Sequence, residues 1–282
     1  MKKTLFILSL ILLPFNGYAD ENVIDSGTWD NGNQGSGSWV INNEGVLIIS
    51  GNGAMQDYDW TGAPWYANRG SITSVVLEGE KKDENGNVIS IGITTIGART
   101  FCNAGKLQSI IIPKSVTDIG AGAFSGYNKL QSITLPDGLT NIGNGAFHDA
   151  GSLTSIIIPN SVTSIGSYAF KDIQNLKKII IGDNVTSIGK DAFLNIASDA
   201  LIYCQNTPKH NCYDLVNDTT KGSDKLKIYT TTDDGKIVVG YKTYASLSDL
   251  ASGKYIPKRI YTIDEANQVA KPTGNRVSIT YR

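Results

Sequence analysis

LQSIIIPKSVTDIGAGAF, residues 107–124, is the stretch that decides the fold, because it returns twice in register. Residues 130–147 read LQSITLPDGLTNIGNGAF and residues 153–170 read LTSIIIPNSVTSIGSYAF, each 23 residues further along the chain. The closing phenylalanine keeps this interval over five positions, which are Phe101, Phe124, Phe147, Phe170 and Phe193. A fixed period of this length is typical of a solenoid, in which each repeat is one supersecondary unit stacked on the last.

The apolar run before each proline predicts a short parallel strand, because β-branched residues favour strands and proline ends the ladder. Alternation along such a strand points Ile110 and Ile112 inward and Ile111 outward. Six strands are predicted in this way, in residues 72–78, 107–113, 130–136, 153–159, 176–182 and 200–204. We expect two of the core layers to be Leu107, Ile110, Ile112, Val116, Ile119 and Phe124, then Leu130, Ile133, Leu135, Leu139, Ile142 and Phe147.

The consensus Leu-x-x-Ile-x-Ile-Pro-x-x-Val-Thr-x-Ile-Gly-x-x-Ala-Phe resembles the BspA-like leucine-rich repeats of bacterial surface proteins. WVINNEGVLIISGNGAM over residues 39–55 and PWY over residues 64–66 resemble the segment that often precedes those repeats. The resemblance covers roughly residues 26–204. It implies a leucine-rich-repeat solenoid, secretion or surface display, and for some members adhesion to host matrix proteins or other cells. One departure is Tyr127, where family repeats often carry cysteine.

The expected architecture is a leucine-rich-repeat solenoid with a parallel sheet of about six short strands on its concave face. Residues 1–19 are predicted as a signal peptide, and residues 20–71 as an N-terminal cap built on a hairpin of Trp39–Ile41 and Val46–Ile49. The solenoid is assigned to residues 72–217, with a charged hairpin insert at 79–90. Residues 218–282 are predicted as a small α/β module, with strands at 226–230, 236–240, 260–263 and 275–281 and helices at 247–250 and 264–271.

The first residues have the organisation of an export signal. Lys2 and Lys3 precede an apolar run from Leu5 to Leu13, and Ala19 offers a cleavage site. The run is too short to span a bilayer, which takes roughly 20 residues. Removal of two lysines from 25 basic residues, against 26 acidic ones, leaves a net charge of −3. This charge argues against a nucleic-acid partner, and we expect a secreted or surface location, with the periplasm as the alternative.

Three cysteines are present, and the export signal implies an oxidising compartment. Cys204 and Cys212 are close in sequence and form a disulfide candidate. His210 lies between them and would complete a three-ligand metal set, but the spacing matches no familiar zinc module, so no metal is predicted. Cys102 follows Phe101 in a position that other repeats fill with varied residues, which predicts a solvent-facing free thiol.

No catalytic or cofactor site is predicted. The chain has two histidines, and no nucleophile elbow, metalloprotease motif or phosphate-binding loop occurs. Asp83-x-Asn85-x-Asn87 has a glycine in the wrong place for a calcium loop and lacks the terminal glutamate. We therefore expect a binding protein without a cofactor and not an enzyme.

The outward strand positions are the candidate ligand-binding site. Five steps of about 4.8 Å give a stripe of about 24 Å, and exposed apolar stripes often mark an interface. The competing interpretations are strand propensity alone, or cover by the C-terminal module. The stripe consists of Val76, Ile111, Thr134, Ile157, Ile180 and Tyr203.

The leading functional hypothesis is a protein-binding or adhesion module, whose partner is a host matrix protein or another surface protein. A structural or self-assembling envelope protein is the first alternative. The second is a glycan-binding accessory protein, with Trp60 and Trp65 beside Asp57 and Asp59 as its sugar platform. Against this, aromatic residues mostly serve packing, which places Trp60, Trp65 and Tyr66 in the buried cap.

Overall fold

The computed structural model describes residues 22–126, 129–204, 227–231, 237–241, 260–264 and 269–272. Within them lie two short 3-10 helical turns, Gly32–Gln34 and Tyr66–Asn68. The strands are β1 (Val23–Asp30), β2 (Gly35–Asn42), β3 (Val46–Ala54), β4 (Ser74–Leu77), β5 (Lys81–Lys82), β6 (Val88–Ser90), β7 (Ile93–Ile96), β8 (Ser109–Ile111), β9 (Asp118–Ile119), β10 (Asn141–Ile142), β11 (Ser155–Ile158), β12 (Ser164–Ile165), β13 (Lys178–Ile181), β14 (Ser187–Ile188), β15 (Leu201–Cys204), β16 (Lys227–Thr231), β17 (Ile237–Tyr241), β18 (Ile260–Asp264) and β19 (Val269–Pro272).

The repeats build two parallel ladders. The long ladder contains β4 and β8, then β11, β13 and β15, and the short ladder contains β7, β9, β10, β12 and β14. The register repeats the sequence period, since Ile156 lies opposite Ile179 in the long ladder and Ile142 opposite Ile165 in the short one. The 23-residue interval therefore corresponds to one step along the solenoid.

A single buried cluster receives the inward side chains of both ladders. The predicted core layers are confirmed, with Ile112 partly buried against the cluster and the other members buried. The phenylalanines form a stacked column whose successive ring centroids are 5.5, 5.2, 5.2 and 5.3 Å apart. Trp65 extends this column, with its ring 6.0 Å from Phe101.

The N-terminal hairpin connects the two ladders. β2 and β3 pair antiparallel, with Trp39 opposite Ile49, and β1 pairs with the other edge of β2. The first half of β3 pairs with β4, and its last residues pair with β7. Because β3 is long enough to reach both, the hairpin begins the long and the short ladder together. The insert forms a separate two-stranded hairpin, β5 and β6.

The long ladder is interrupted where a third strand was predicted. Residues 130–136 are not a strand, although Ile133 and Leu135 are buried as expected. The carbonyl of Gln131 still accepts a hydrogen bond from the Thr154 backbone N–H. The prediction was wrong here because alternation fixes which side chains face the core but does not fix the backbone spacing that a ladder requires.

Beyond the repeats the described segments are all strands. β15 pairs in parallel with β16, and β16 to β19 continue the sheet antiparallel. The helix predicted over residues 264–271 is wrong, because Val269–Pro272 forms β19. Valine favours strands and Lys271 precedes proline, which disfavours helical backbone, and these outweigh the terminal charges used for the prediction. Residues 1–19, the helix predicted at 247–250 and the strand at 275–281 lie outside the described residues.

Candidate functional site

The predicted stripe follows the outward side of the long ladder. Val76 lies opposite Ile111 across β4 and β8, and Ile157 lies opposite Ile180 across β11 and β13. Their neighbours along each strand are buried, so these four side chains face away from the core. Local alternation of the repeat sequence is sufficient to explain this orientation. The backbone therefore places the predicted positions in two aligned groups.

Exposure along the stripe is uneven. Ile157 is exposed over 60% of its surface, whereas Val76, Ile111 and Ile180 are half-buried. Leu201, which lies one column away, is 40% exposed and pairs with Lys178. The most exposed apolar side chains of the long ladder thus lie on β11 and β15, on either side of β13, in the C-terminal half of the solenoid.

The remaining stripe positions differ from the expectation. Thr134 is exposed, but it lies in the segment that does not join the ladder. Tyr203 pairs with Ile180 through its backbone, and its side chain lies outside the described part of the chain. The Cys204 side chain, Cys212 and His210 also lie outside it. The disulfide therefore stays a prediction.

Cys102 is a free cysteine, but the expectation that it faces solvent was wrong, because it is only 3% exposed. Burial raises the pKa of its thiol. The positive charges of Arg99 and Arg69 act in the opposite direction but do not outweigh burial, so the pKa lies above its usual value. Ser125, in the same position of the next repeat, is also buried, whereas His148, Lys171 and Leu194 are half-buried, so this position is less exposed toward the N-terminal end of the solenoid. The sequence period cannot show this gradient, because it records only that the position accepts varied residues.

The aromatic residues of the N-terminal segment divide into two groups. Trp65 and Tyr58 are buried, and Trp65 donates from its indole N–H to the Thr100 carbonyl at 2.9 Å. Burial raises the pKa of Tyr58 to about 12. Trp60 was expected in the buried cap but is 58% exposed, and the Arg99 guanidinium lies 4.9 Å from its ring centroid. The carboxylate of Asp57 accepts from the Ala98 backbone N–H at 2.6 Å, so this acid positions backbone.

A surface that the predictions missed lies on the turns before each phenylalanine. Two positions in every turn have left-handed backbone. The one before the phenylalanine, with φ between 55° and 62°, is held by Arg99, Gly122, Gly145, Tyr168 and Asp191, and the one after it by Asn103, Gly126, Asp149, Asp172 and Asn195. We call the position before the phenylalanine the left-handed slot. Glycine adopts such backbone without strain, whereas tyrosine and arginine seldom do. Alignment of the repeats would have shown two glycines in this slot and an aromatic residue replacing them.

Charged side chains surround the later turns. His148 Nε2 lies 3.1 Å from Asp172 Oδ2, and Lys171 Nζ lies 2.9 Å from the same oxygen. Partial desolvation raises the pKa of Asp172, but hydrogen bonds from Asn195 and Lys171 outweigh it, so this pKa lies below its usual range. The hydrogen bond to Asp172 raises the pKa of Lys171. The Lys171 ammonium also lies 5.8 Å from the Tyr168 ring centroid.

Within the described residues no three His, Cys, Asp or Glu side chains are grouped closely enough to hold a metal ion. The same residues include no helix with the length and apolar character that a membrane crossing requires.

The chain was also compared with known proteins. A family model described as the BspA type leucine rich repeat region matches residues 94–213 in six copies. No curated protein sequence matches the chain.

Several solved structures are similar to this chain. A leucine-rich repeat protein from Eubacterium ventriosum is 21% identical, with 65% of this chain and 79% of that chain covered and a TM-score of 0.35. A leucine rich repeat protein from T. pallidum is 25% identical, with 60% and 67% covered and a TM-score of 0.43. A leucine rich cell surface protein from Faecalibacterium prausnitzii is 18% identical, with 76% and 60% covered and a TM-score of 0.37.

Proposed function

We propose, from the BspA-type leucine-rich repeats that residues 94–213 carry, that this chain is an exported bacterial protein which binds another protein through its long ladder. The observation that carries the proposal is the 60% exposure of Ile157 on a strand whose other two isoleucines are buried. The outward side of β11, β13 and β15 is the contact surface, and we call it the ladder face.

The composition of the ladder face favours a protein partner. Ile157 and Ile180 are adjacent across the sheet, and Leu201 adds a second exposed apolar side chain nearby. Serine or threonine would serve a solvent-facing strand equally well, so apolar residues here favour contact with a complementary surface. Lys178 and Ser155, paired in the next column, supply a polar border of the kind that surrounds protein interfaces.

The experiment is a binding measurement on immobilised fibronectin and fibrinogen, with the purified chain and its Ile157→Ser variant. The family resemblance suggests these two matrix proteins as the first probes. We expect saturable binding that Ile157→Ser weakens at least about tenfold, equivalent to about 1.4 kcal/mol. Because Ile157 is mostly exposed, the substitution should change the free energy of unfolding by about 1 kcal/mol or less.

A matched control is available in the same chain. Ile89 is 65% exposed and lies on β6 of the insert hairpin, away from the long ladder. Ile89→Ser should leave binding unchanged. Equal losses from Ile89→Ser and Ile157→Ser would show general stickiness, and no loss from either would remove the ladder face from the contact.

Export is the second part of the proposal. If residues 1–19 are a signal peptide, the protein recovered from outside the cytoplasm should begin at Asp20. N-terminal sequencing of that material tests this directly. A protein that still begins at Met1 would contradict cleavage.

Self-assembly is a second candidate function, favoured by β1. This strand of eight residues pairs with β2 alone among the described strands. Its charged residues are Asp25 and Asp30 near its two ends, and it carries no lysine or proline on its outer edge. Ile24 on β1 is exposed. Light scattering after size exclusion should show a mass that rises with concentration if the edge pairs, and a constant monomer mass would reject this candidate.

A further inference from the structure

We propose that the turn surface between Arg99 and Tyr168 is a carbohydrate site for a neutral oligosaccharide. This surface is separate from the ladder face, and its occupation does not depend on the proposed protein partner. Its centre is the pair of glycines in the left-handed slot, Gly122 and Gly145, and its two ends carry exposed aromatic rings. We call this surface the turn trough.

The floor of the turn trough is open backbone. A side chain built on Gly122 would approach Arg99 and Ser125 no closer than 3.6 Å, and one built on Gly145 would approach only His148, also at 3.6 Å. The space above both glycines is therefore free. Three repeat steps separate Arg99 from Tyr168, and with adjacent strands about 4.8 Å apart the trough is roughly 14 Å long. This is the length of a short oligosaccharide.

Each end of the trough has a ring with a cation beside it. Trp60, at 58% exposure, lies against the Arg99 guanidinium, and Tyr168, at 40% exposure, lies near the Lys171 ammonium. An exposed ring offers a flat apolar face for a sugar ring, and a neighbouring cation can donate hydrogen bonds to the sugar hydroxyls.

The backbone supplies an independent reason to assign a role to Tyr168. Its φ of 60° is the left-handed value that Gly122 and Gly145 satisfy without strain. A tyrosine in this conformation is uncommon, and a strained residue with an exposed side chain points to a function for that side chain. Packing does not explain its presence, because Tyr168 is one of the more exposed large apolar residues of the described chain.

Charge distinguishes a neutral sugar from a polyanion. The trough carries charges of both signs, since Arg99 and Lys171 are positive, whereas Asp172, which contacts Lys171, and Asp191 in the next left-handed slot are negative. A nucleic acid or an acidic polysaccharide would meet these carboxylates, so the mixed charge favours a neutral ligand.

The test is a titration of the purified chain with neutral linear hexasaccharides, followed by tryptophan fluorescence and by calorimetry. Cellohexaose, chitohexaose, maltohexaose and xylohexaose are the probes, extended by an array of immobilised neutral glycans. Trp60 is the exposed one of the four tryptophans, so a sugar in the trough should shift the emission saturably. We expect the shift with at least one probe and its loss in Trp60→Phe.

Two variants test the trough itself. Tyr168→Gly removes the ring and relieves the backbone, so calorimetric affinity should fall at least about tenfold without a lower melting temperature. Gly145→Asn fills the floor with a residue that tolerates left-handed backbone, and it should block binding. Its matched control is Gly86→Asn on the insert hairpin, where φ is also positive and no atom lies within 4 Å.

Two outcomes would overturn the assignment. In the first, the folded chain binds none of the four hexasaccharides and no glycan of the array. In the second, a glycan binds, but both Tyr168→Gly and Gly145→Asn bind it with the affinity of the unchanged chain. Ile157→Ser should leave glycan binding intact. Loss of sugar binding in Ile157→Ser, with the trough variants unaffected, would likewise reject the trough and move the sugar to the ladder face.

Discussion

Removal of one ring from the phenylalanine column should divide the solenoid into two parts of unequal stability. Phe147 is fully buried, and its ring centroid is 5.2 Å from Phe124 on one side and 5.2 Å from Phe170 on the other. The planes are nearly parallel, at 10° and 3°. Phe147→Ala therefore opens a cavity and removes two stacking contacts together.

The expected loss lies in the upper part of the range for such substitutions. Replacing a buried phenylalanine by alanine costs about 3–5 kcal/mol, and each stacked aromatic pair contributes about 0.5–1.5 kcal/mol beyond its buried area. With two pairs lost, we expect about 4–5 kcal/mol. This is a large fraction of the 5–15 kcal/mol that typically holds a domain folded.

Two probes can measure where the loss occurs. All four tryptophans lie between residues 29 and 65, so fluorescence reports the N-terminal end, whereas far-UV circular dichroism reports the whole fold. Repeats contact only their neighbours, so a weakened layer can uncouple the two ends. In urea, Phe147→Ala should lower the circular-dichroism midpoint more than the fluorescence midpoint, and the two curves should no longer coincide.

The control is Ile89→Ala, since this isoleucine is exposed and lies outside the buried cluster. Its unfolding free energy should change by about 0.5 kcal/mol or less. A loss below about 1 kcal/mol for Phe147→Ala would refute the stacking argument, because it would mean that the column does not hold adjacent repeats together.

The buried Cys102 thiol and the paired Asp172 carboxylate each give a further prediction. Cys204→Ser and Cys212→Ser together leave Cys102 as the one thiol of the chain. This thiol should react with Ellman's reagent at least about tenfold more slowly in the folded chain than in urea, because burial raises its pKa. Equal rates would contradict its burial. The pKa of Asp172 is lower in the folded chain than its ordinary value, so its contribution to stability is present above that ordinary value and is lost as the pH falls through the folded pKa. The difference in unfolding free energy between the natural chain and Asp172→Asn should therefore shrink from pH 6 to pH 3, and a constant difference would exclude this linkage.

The repeat period predicted the features that every repeat must share. Burial of Ile110, Val116 and Phe124 follows from the sequence, since one repeat cannot cover its apolar face and its neighbours must do so. The residue opposite Ile156 is Ile179 because the ladder advances by one period. These features depend on local pattern and on stacking, and both can be read without coordinates.

Features that depend on a single place in the chain were not predictable in the same way. Cys102 and Ser125 are buried, whereas His148, Lys171 and Leu194 in the same position of the later repeats are half-buried, so the exposure of one repeat position changes along the chain. Trp60 sits in the same N-terminal segment as Trp65, yet one ring is exposed and the other buried. Composition assigns both to a cap, since it carries no information on which ring faces the first repeat.

The left-handed slot shows how a repeat can reveal function through its exceptions. Inward positions are constrained by packing, so variation there is small and carries little information about a ligand. Outward strand positions such as Ile157 are free to vary, so an apolar residue that stays exposed there favours a contact. In the slot, the backbone favours glycine, and Gly122 and Gly145 satisfy it. Arg99, Tyr168 and Asp191 depart from that preference, and Tyr168 is the exposed one of the three, which makes its ring the departure that most requires a functional reason.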